Sequence, residues 1–241
     1  MKRPKPSRSS KTARETPAVS VCPAGKRYPL PAETDYAREH ERLKRIVAAE
    51  RRKGREIVVV MGLGFVGAVM AAVIADSTDR KTGKPGKFVI GMQRPSTRSF
   101  WKIGYLNQGV PPVEAEDPEV APLIERCVRG KKTLMATYTY DALALADAVV
   151  VDVQCDYHKE TLGDCRQGSA DIAALEDSLR VIGTKVRPDC LVLIETTVPP
   201  GTTEYVAYPI LKKAFEERGI DREPLLAHSF ERVMPLSLIH I

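Results

Sequence analysis

From residue 56 onward, short apolar runs alternate with segments of helical periodicity. Six runs are apolar and largely β-branched: EIVVVM, FVIGM, TLMATYT, DAVVVDV, CLVLIET and PLLAHSF. Such runs, apolar on both faces, are typical of strands in parallel sheets. The alternation therefore predicts an α/β fold, a doubly wound parallel sheet of the Rossmann type over residues 56–235. Besides the helix after the first strand, helices are predicted from Asp117 to Gly130, from near Asp141, from near Asp171, and from Thr202 to Gly219.

The first 55 residues have a different character. Residues 1–32 are rich in Pro, Ser, Lys and Arg and show no apolar periodicity, so we predict a disordered basic leader. Residues 33–55 combine good helix formers with alternating charges and end at Gly54, which predicts a helix. Because its apolar positions are few, we expect this helix to lie on the surface of the following domain.

Composition and charge narrow the function classes. Hydrophobic residues make up 43% of the chain, enough for a packed core. The net charge of +6 comes from residues 1–55, which carry +10, whereas residues 56–241 carry −4, so no nucleic-acid-binding surface is indicated. No apolar stretch is long enough for a membrane span, and the five cysteines form no CxxC pair. A cytoplasmic protein with reduced thiols is predicted.

A glycine-rich hexapeptide, GLGFVG at residues 62–67, follows the first predicted strand and precedes a helix of small residues. Its G-x-G-x-x-G spacing in this context predicts dinucleotide binding rather than a purely structural turn. The first glycine permits the tight turn, the second lets backbone approach a pyrophosphate, and the third lets the helix pack closely. The helix N-terminus favours the phosphates. The predicted cofactor-binding residues here are Gly62, Leu63, Gly64, Phe65, Val66 and Gly67.

The residues after the second predicted strand bear on which dinucleotide binds. An acidic residue there would bond the ribose 2′-hydroxyl and favour NAD, but Gln93 occupies the position in VIGMQRPSTRS. Gln93 can still bond the hydroxyl, whereas Arg94 and Arg98, with Ser96 and Thr97, can instead bind a 2′-phosphate. A third interpretation is that these polar and basic side chains are ordinary loop residues. NAD is the predicted cofactor, and NADP stays open.

Four motifs follow one another along the chain: GLGFVG, LNQGVPPVEAEDPEV, ETTVPPGTTE and SFERVMP. Their sequences and their order resemble the N-terminal domain of the UDP-glucose/GDP-mannose dehydrogenase family. The resemblance implies an enzyme that oxidises the C6 alcohol of a nucleotide sugar to a carboxylate. Such enzymes use two hydride transfers to NAD, with a cysteine thioester between them, and the full-length proteins are homo-oligomers.

Carried over by position, the resemblance gives two catalytic residues. Thr197 matches the threonine that holds the catalytic water, beside the cofactor, and Glu231 matches the glutamate of the hydrolytic step. Arg98 falls where the family often places an arginine next to the cofactor. Taken by themselves, Thr197 could equally cap a turn at a strand end, and Glu231 could pair with Arg232 on the surface.

The sequence departs from the family pattern after the fourth strand. Cys155 and Asp156 stand where the family usually has Thr-Pro, so Cys155 is predicted to line the cofactor crevice. A cysteine at a strand end is more often buried and inert than nucleophilic. With His158, Asp164 and Cys165 it matches no established zinc spacing, and no metal site is predicted.

The end of the chain departs further. After Pro235 the sequence reads LSLIHI, and residues 236–241 are predicted to be a non-native or truncated tail. The segment that would carry the family's substrate lysine, asparagine and nucleophilic cysteine does not follow. We therefore expect the chain to bind its cofactor without completing the oxidation. Two alternatives stay open, an NADP-linked hydroxyacid dehydrogenase and a non-catalytic Rossmann binding module.

Overall fold

The computed structural model describes residues 18–159, 161 and 167–229. The predicted disorder of residues 1–17, the tail at 236–241, and the side chains of Asp164, Cys165 and Glu231 lie outside the described residues. Within residues 18–32 the prediction of disorder is wrong. Two short strands, β1 (Val19–Val21) and β2 (Arg27–Pro29), pair antiparallel. Ser20 and Cys22 are buried, so tertiary contacts order a segment whose composition alone favours a random coil.

The predicted N-terminal helix is present as α1 (Glu33–Arg52). Two of its apolar residues, Leu43 and Val47, are buried in the main core. At the start of the helix, Glu39 is also buried, and the hydroxyl of Thr137 donates a hydrogen bond of 2.7 Å to Glu39 Oε1. The helix therefore packs on the sheet as a structural layer rather than lying loosely on the surface.

Six parallel strands form the central sheet, and all six coincide with the predicted apolar runs. In chain order, the elements after α1 are β3 (Glu56–Met61), α2 (Phe65–Asp76), β4 (Lys87–Met92), α3 (Trp101–Asn107), α4 (Val120–Glu125), β5 (Leu134–Thr137), β6 (Ala148–Val151), β7 (Asp156–His158), β8 (Ser169–Asp171), α5 (Ala173–Lys185), β9 (Leu191–Ile194), α6 (Tyr208–Glu217) and β10 (Leu225–His228). The strand order in the sheet is β10-β9-β6-β3-β4-β5. This is the order of the Rossmann fold, and the predicted fold class is confirmed.

Two details of the helices differ from the sequence pattern. The segment predicted to be a helix from near Asp141 is a 3-10 turn, Tyr140–Leu145, so the crossover from β5 to β6 is short. The helices predicted from Asp117 and Thr202 each contain a π-helical turn, Arg126–Gly130 at the end of one and Thr203–Ala207 at the start of the other. The pair β7 and β8 forms a separate small antiparallel sheet after β6.

Apolar side chains fill both faces of the sheet. One core lies under α2, α3 and α4 and includes Leu63, Leu106 and Ile124. The other lies under α1, α5 and α6 and includes Leu43 and Phe215. Because helices cover both faces of the sheet, a ligand can approach it only at the loops that follow or precede the strands.

The carboxylate of Asp76, at the end of α2, fastens this helix to the segment after α4. Arg126 donates to both carboxylate oxygens, from Nε at 2.9 Å and Nη2 at 3.0 Å, and Lys131 Nζ lies 2.8 Å from Oδ1. The hydrogen bonds from Arg126 and Lys131 hold the pKa of Asp76 well below its ordinary value of 3.8. A carboxyl group with a depressed pKa stabilises the fold above that ordinary value and loses this contribution as the pH falls.

We predict that Asp76→Asn lowers the free energy of unfolding at pH 7 by about 1–2 kcal/mol. The difference between variant and wild type should narrow as the pH falls from 5 to 2, as urea unfolding followed by circular dichroism would show. Asp221→Asn is the control, because Asp221 is exposed and forms no ion pair with the described residues. A difference that stays constant with pH would contradict this account of Asp76.

Candidate functional site

The loops at the carboxyl ends of β3 and β6 form the crevice in which doubly wound sheets bind ligands. The two strands are neighbours in the sheet, and the chain leaves them toward opposite sides. Ligands of open α/β sheets bind at such a switch point, outside the carboxyl ends of the strands. The glycine-rich segment leads from β3 into α2 at this position.

Close backbone packing requires glycine at two positions of the glycine-rich segment. Gly62 has φ +112°, and a Cβ atom there would lie 2.0 Å from the carbonyl oxygen of Asp152, in the chain that leaves β6. A Cβ on Gly67 would lie 2.2 Å from the carbonyl oxygen of Gly62 and 2.8 Å from Asp152 Oδ2. These two positions therefore bring three segments together: the turn after β3, the start of α2 and the end of β6.

Gly64 has a different surrounding. A Cβ atom built there would meet no described atom within 4 Å, although the neighbouring glycines are tightly packed. Gly64 is the residue preceding α2, and among the described residues no side chain caps the helix and its first turn carries no acidic group. The first N–H groups of α2 thus have no partner within the helix, and the space beside Gly64 is open. This arrangement fits an anionic group such as a diphosphate.

The side chain of Gln93 holds the glycine-rich turn in place. Its Oε1 accepts a hydrogen bond of 2.9 Å from the backbone N–H of Leu63, and its Nε2 donates to Ser99 Oγ at 3.2 Å. The sequence singled out this residue as a ribose contact, and the structure adds a second function. The amide makes both bonds because it carries an acceptor for the Leu63 N–H and a donor for the Ser99 hydroxyl.

Lys102 in α3 also belongs to the site, although the sequence did not predict it. Its ammonium group donates to the carbonyl oxygen of Leu63 at 3.1 Å, across a separation of 39 residues along the chain. Burial lowers the pKa of Lys102. A partly desolvated cation against the turn that leads into α2 adds positive charge at the same place as the helix N-terminus. No local signal in the sequence marks this contact, because it depends on the position of α3.

Arg94 and Arg98 lie exposed on the loop that connects β4 to α3. Among the described residues, neither side chain forms an ion pair. The carbonyl oxygen of Arg98 accepts a hydrogen bond of 3.0 Å from Trp101 Nε1, which fixes the backbone while the guanidinium group points into solvent. Both arginines stay candidates for a phosphate contact.

The ETTVPPGTTE motif lies at the end of β9, at the same edge of the sheet. Thr196 is buried, and its hydroxyl accepts from the N–H of Val153 at 3.0 Å and donates to the carbonyl oxygen of Val153 at 2.9 Å. Thr197, the residue predicted to be catalytic, is exposed. Its carbonyl oxygen accepts a hydrogen bond of 3.1 Å from the Tyr157 hydroxyl. Thr196 thus fastens β9 to β6 and holds Thr197 at the rim of the crevice.

Cys155 is partly buried and packs against the core cluster under α5 and α6. Burial raises the pKa of its thiol, which keeps the group protonated at neutral pH and disfavours a nucleophilic role. Among the described residues, no group of three or more His, Cys, Asp or Glu side chains could hold a metal ion.

The asparagine of the LNQG motif has a structural role. Asn107 Nδ2 donates to the carbonyl oxygen of Ala136 at 3.0 Å, and Asn107 Oδ1 accepts from the Ala136 N–H at 2.7 Å. Ala136 belongs to β5, the edge strand of the sheet, so a side chain occupies the backbone groups that another strand could pair with.

Comparison with known proteins identifies the family. Residues 56–240 match the model of the UDP-glucose/GDP-mannose dehydrogenase family, NAD binding domain. The chain belongs to this family. The family-level match also confirms NAD as the cofactor of this domain, in a family of NAD-dependent oxidoreductases that act on CH–OH donors. The match begins at β3, so β1, β2 and α1 lie outside it.

Two relatives illustrate the similarity. The chain is 29% identical over 178 residues to the UDP-N-acetyl-D-mannosamine dehydrogenase of Pyrococcus horikoshii, covering 74% of this chain and 37% of the relative. The crystal structure of NDP-N-acetyl-D-galactosaminuronic acid dehydrogenase from Methanosarcina mazei Go1 superposes with a TM-score of 0.63 at 30% identity, covering 82% of this chain and 38% of that chain. This member of the family therefore spans little more than a third of the length of these relatives. None of its described helices is long and apolar enough to cross a membrane.

Proposed function

We propose that this family member is the cofactor-binding part of a nucleotide-sugar 6-dehydrogenase, which oxidises the C6 alcohol of a UDP- or GDP-sugar to a carboxylate with two NAD⁺. The observation that carries the proposal is the open space at Gly64, between the packed glycines 62 and 67 and the start of α2. When bound there, NAD⁺ would accept the hydride. The relative from Pyrococcus horikoshii is named as a dehydrogenase of a UDP-sugar, and the family description includes GDP-mannose, which supports the substrate class.

The residues of the chain divide the work of binding. The N–H groups at the start of α2 bind the diphosphate, since they lack partners within the helix. The ammonium group of Lys102 lies within hydrogen-bond distance of the same turn and contributes charge there. Gln93 keeps the turn in its binding conformation. Arg94 and Arg98, exposed on the loop after β4, would be available to the adenosine ribose.

The assignment of Thr197 and Glu231 to the hydrolytic step is part of the same proposal. Thr197 is exposed at the rim of the crevice, and its backbone is held by Tyr157 and by the neighbouring Thr196. A hydroxyl group in that position can both donate to and accept from a water molecule. Glu231 lies outside the described residues, so its role rests on the SFERVMP motif. We also propose that the full-length protein is a cytoplasmic homo-oligomer.

The test is isothermal titration of the 241-residue chain with NAD and with NADP. We expect saturable binding of NAD. Because a 2′-phosphate would require charged contacts from the loop after β4, Arg94→Ala and Arg98→Ala should each weaken NADP binding about tenfold and leave NAD binding unchanged. The absence of binding for both dinucleotides would overturn the proposed function. A clear preference for NADP over NAD would contradict NAD as the cofactor of this chain.

A further inference from the structure

The N-terminal hairpin, β1 and β2 with their connecting turn, contacts α3 directly although it lies outside the family match. Ser20 Oγ accepts a hydrogen bond of 3.2 Å from the backbone N–H of Trp101, the first residue of α3. The Tyr105 hydroxyl donates to Cys22 Sγ at 3.1 Å. Ser20 is fully buried and Cys22 is 3% exposed, so these contacts belong to a packed interface rather than a loose surface association.

The closest packing in this interface joins Tyr28 to Gly104. A Cβ atom built on Gly104 would lie 2.4 Å from Tyr28 Cε1 and 3.0 Å from Tyr28 Cδ1, so only glycine lets the ring lie this close to the helix. The ring also packs edge-on against Tyr105, with 6.4 Å between ring centroids. Tyr28 therefore fixes both the distance and the rotation of α3 relative to the hairpin.

The same helix carries the lysine that contacts the glycine-rich turn. Lys102 lies one residue from Trp101 and two from Gly104, and its ammonium group reaches the carbonyl oxygen of Leu63. A shift of α3 would therefore move Lys102 away from the turn.

We infer that the hairpin is a positioning element for cofactor binding, in which Tyr28, packed on Gly104, holds α3 so that Lys102 stays against the glycine-rich turn. Residues 18–32 thus support the helix that carries Lys102. Tyr28 contacts α3 and acts on the turn through Lys102. This inference rests on the proposed binding of NAD at the turn.

The experiment is a double-mutant cycle on the 241-residue chain, with NAD affinity measured by titration calorimetry. Tyr28→Ala should raise the Kd about fivefold to tenfold, a coupling of ordinary size between packed elements. Lys102→Met should raise it about tenfold. Because Tyr28 acts through Lys102, the double variant should bind no more weakly than Lys102→Met alone.

Two controls separate positioning from general destabilisation. Tyr28→Phe keeps the ring and should bind NAD like the wild type, because the buried Tyr28 hydroxyl has no hydrogen-bond partner among the described residues. Ile182→Val, in the distant helix α5, should lower the thermal midpoint without changing the Kd. Wild-type affinity in Tyr28→Ala, or losses that multiply in the double variant, would overturn the inference.

Hydrogen exchange tests the contact between Tyr28 and α3 without a ligand. In Tyr28→Ala the amides of α3 and of the turn at 62–65 should exchange faster than in the wild type, whereas those of α5 should not change. Unchanged exchange in α3 would overturn the inference even if NAD binding could not be measured. The two failures can be told apart. If the α3 amides exchange faster in Tyr28→Ala but the wild-type chain binds no NAD, the contact between the hairpin and α3 stands and the proposed function is overturned.

Discussion

Gly64→Ala should weaken NAD binding at least tenfold while leaving the thermal stability of the chain unchanged. The backbone of Gly64, with φ −79° and ψ −164°, suits any L-amino acid, and an added Cβ meets no described atom within 4 Å. The fold therefore accepts the methyl group. The same methyl group occupies the space through which backbone must approach the diphosphate, so the loss falls on the complex alone. Titration calorimetry and differential scanning calorimetry on one sample measure both quantities.

Gly67→Ala is the matched contrast. Its Cβ atom would lie 2.2 Å from the carbonyl oxygen of Gly62, which cannot move without displacing the turn. We expect a loss of about 1–3 kcal/mol in the free energy of unfolding, typical of an overpacked site. Wild-type NAD affinity in Gly64→Ala would show that the diphosphate does not approach this turn. Equal losses of stability in the two variants would contradict the difference in packing between the two glycines.

The sequence predicted the sheet well because each strand is specified locally. Each of the six central strands is a short apolar run, and capping residues and glycines mark the ends of the helices between them. The hairpin could not be predicted in the same way. Its strands VSV and RYP are three residues long, too short to establish an apolar period, and their order comes from contacts with Trp101, Gly104 and Tyr105. The helix α3 was missed as well, since its seven residues include a glycine in the middle.

The residues of the candidate site likewise fall into those that local sequence predicts and those that only the fold reveals. The three glycines could be found from their spacing between a strand and a helix, whereas the contacts of Gly62 and Gly67 with Asp152 depend on the sheet bringing β3 and β6 together. Gln93 was found as a polar residue after the second strand, but its hydrogen bond to Leu63 depends on the sheet bringing β3 and β4 together. Lys102 lies 39 residues from Leu63, and only the position of α3 reveals the contact.

The helix α1 shows how an incomplete hydrophobic pattern can mislead. Few of its positions are apolar, so the sequence favoured a surface helix. In the structure Leu43 is fully buried and Val47 is 3% exposed, and both belong to the core beneath α5 and α6. The 3-10 turn between β5 and β6 is too short to cover that face of the sheet, and α1 contacts both this turn and β3. A few apolar residues are enough to hold the helix against the sheet because the sheet leaves space there.

Leu43→Ala should therefore lower the free energy of unfolding by about 2–4 kcal/mol, a loss typical of a large side chain removed from a packed core. Urea unfolding followed by circular dichroism measures it, and the whole chain should unfold in one transition because α1 shares its core with the sheet. Arg45→Ala, at an exposed position of the same helix, should change the free energy by no more than about 0.5 kcal/mol. A loss in Leu43→Ala as small as that of Arg45→Ala would mean that α1 is not part of the cooperative fold. Since β3 begins four residues after α1 ends, such a result would restrict that fold to the segment that matches the family.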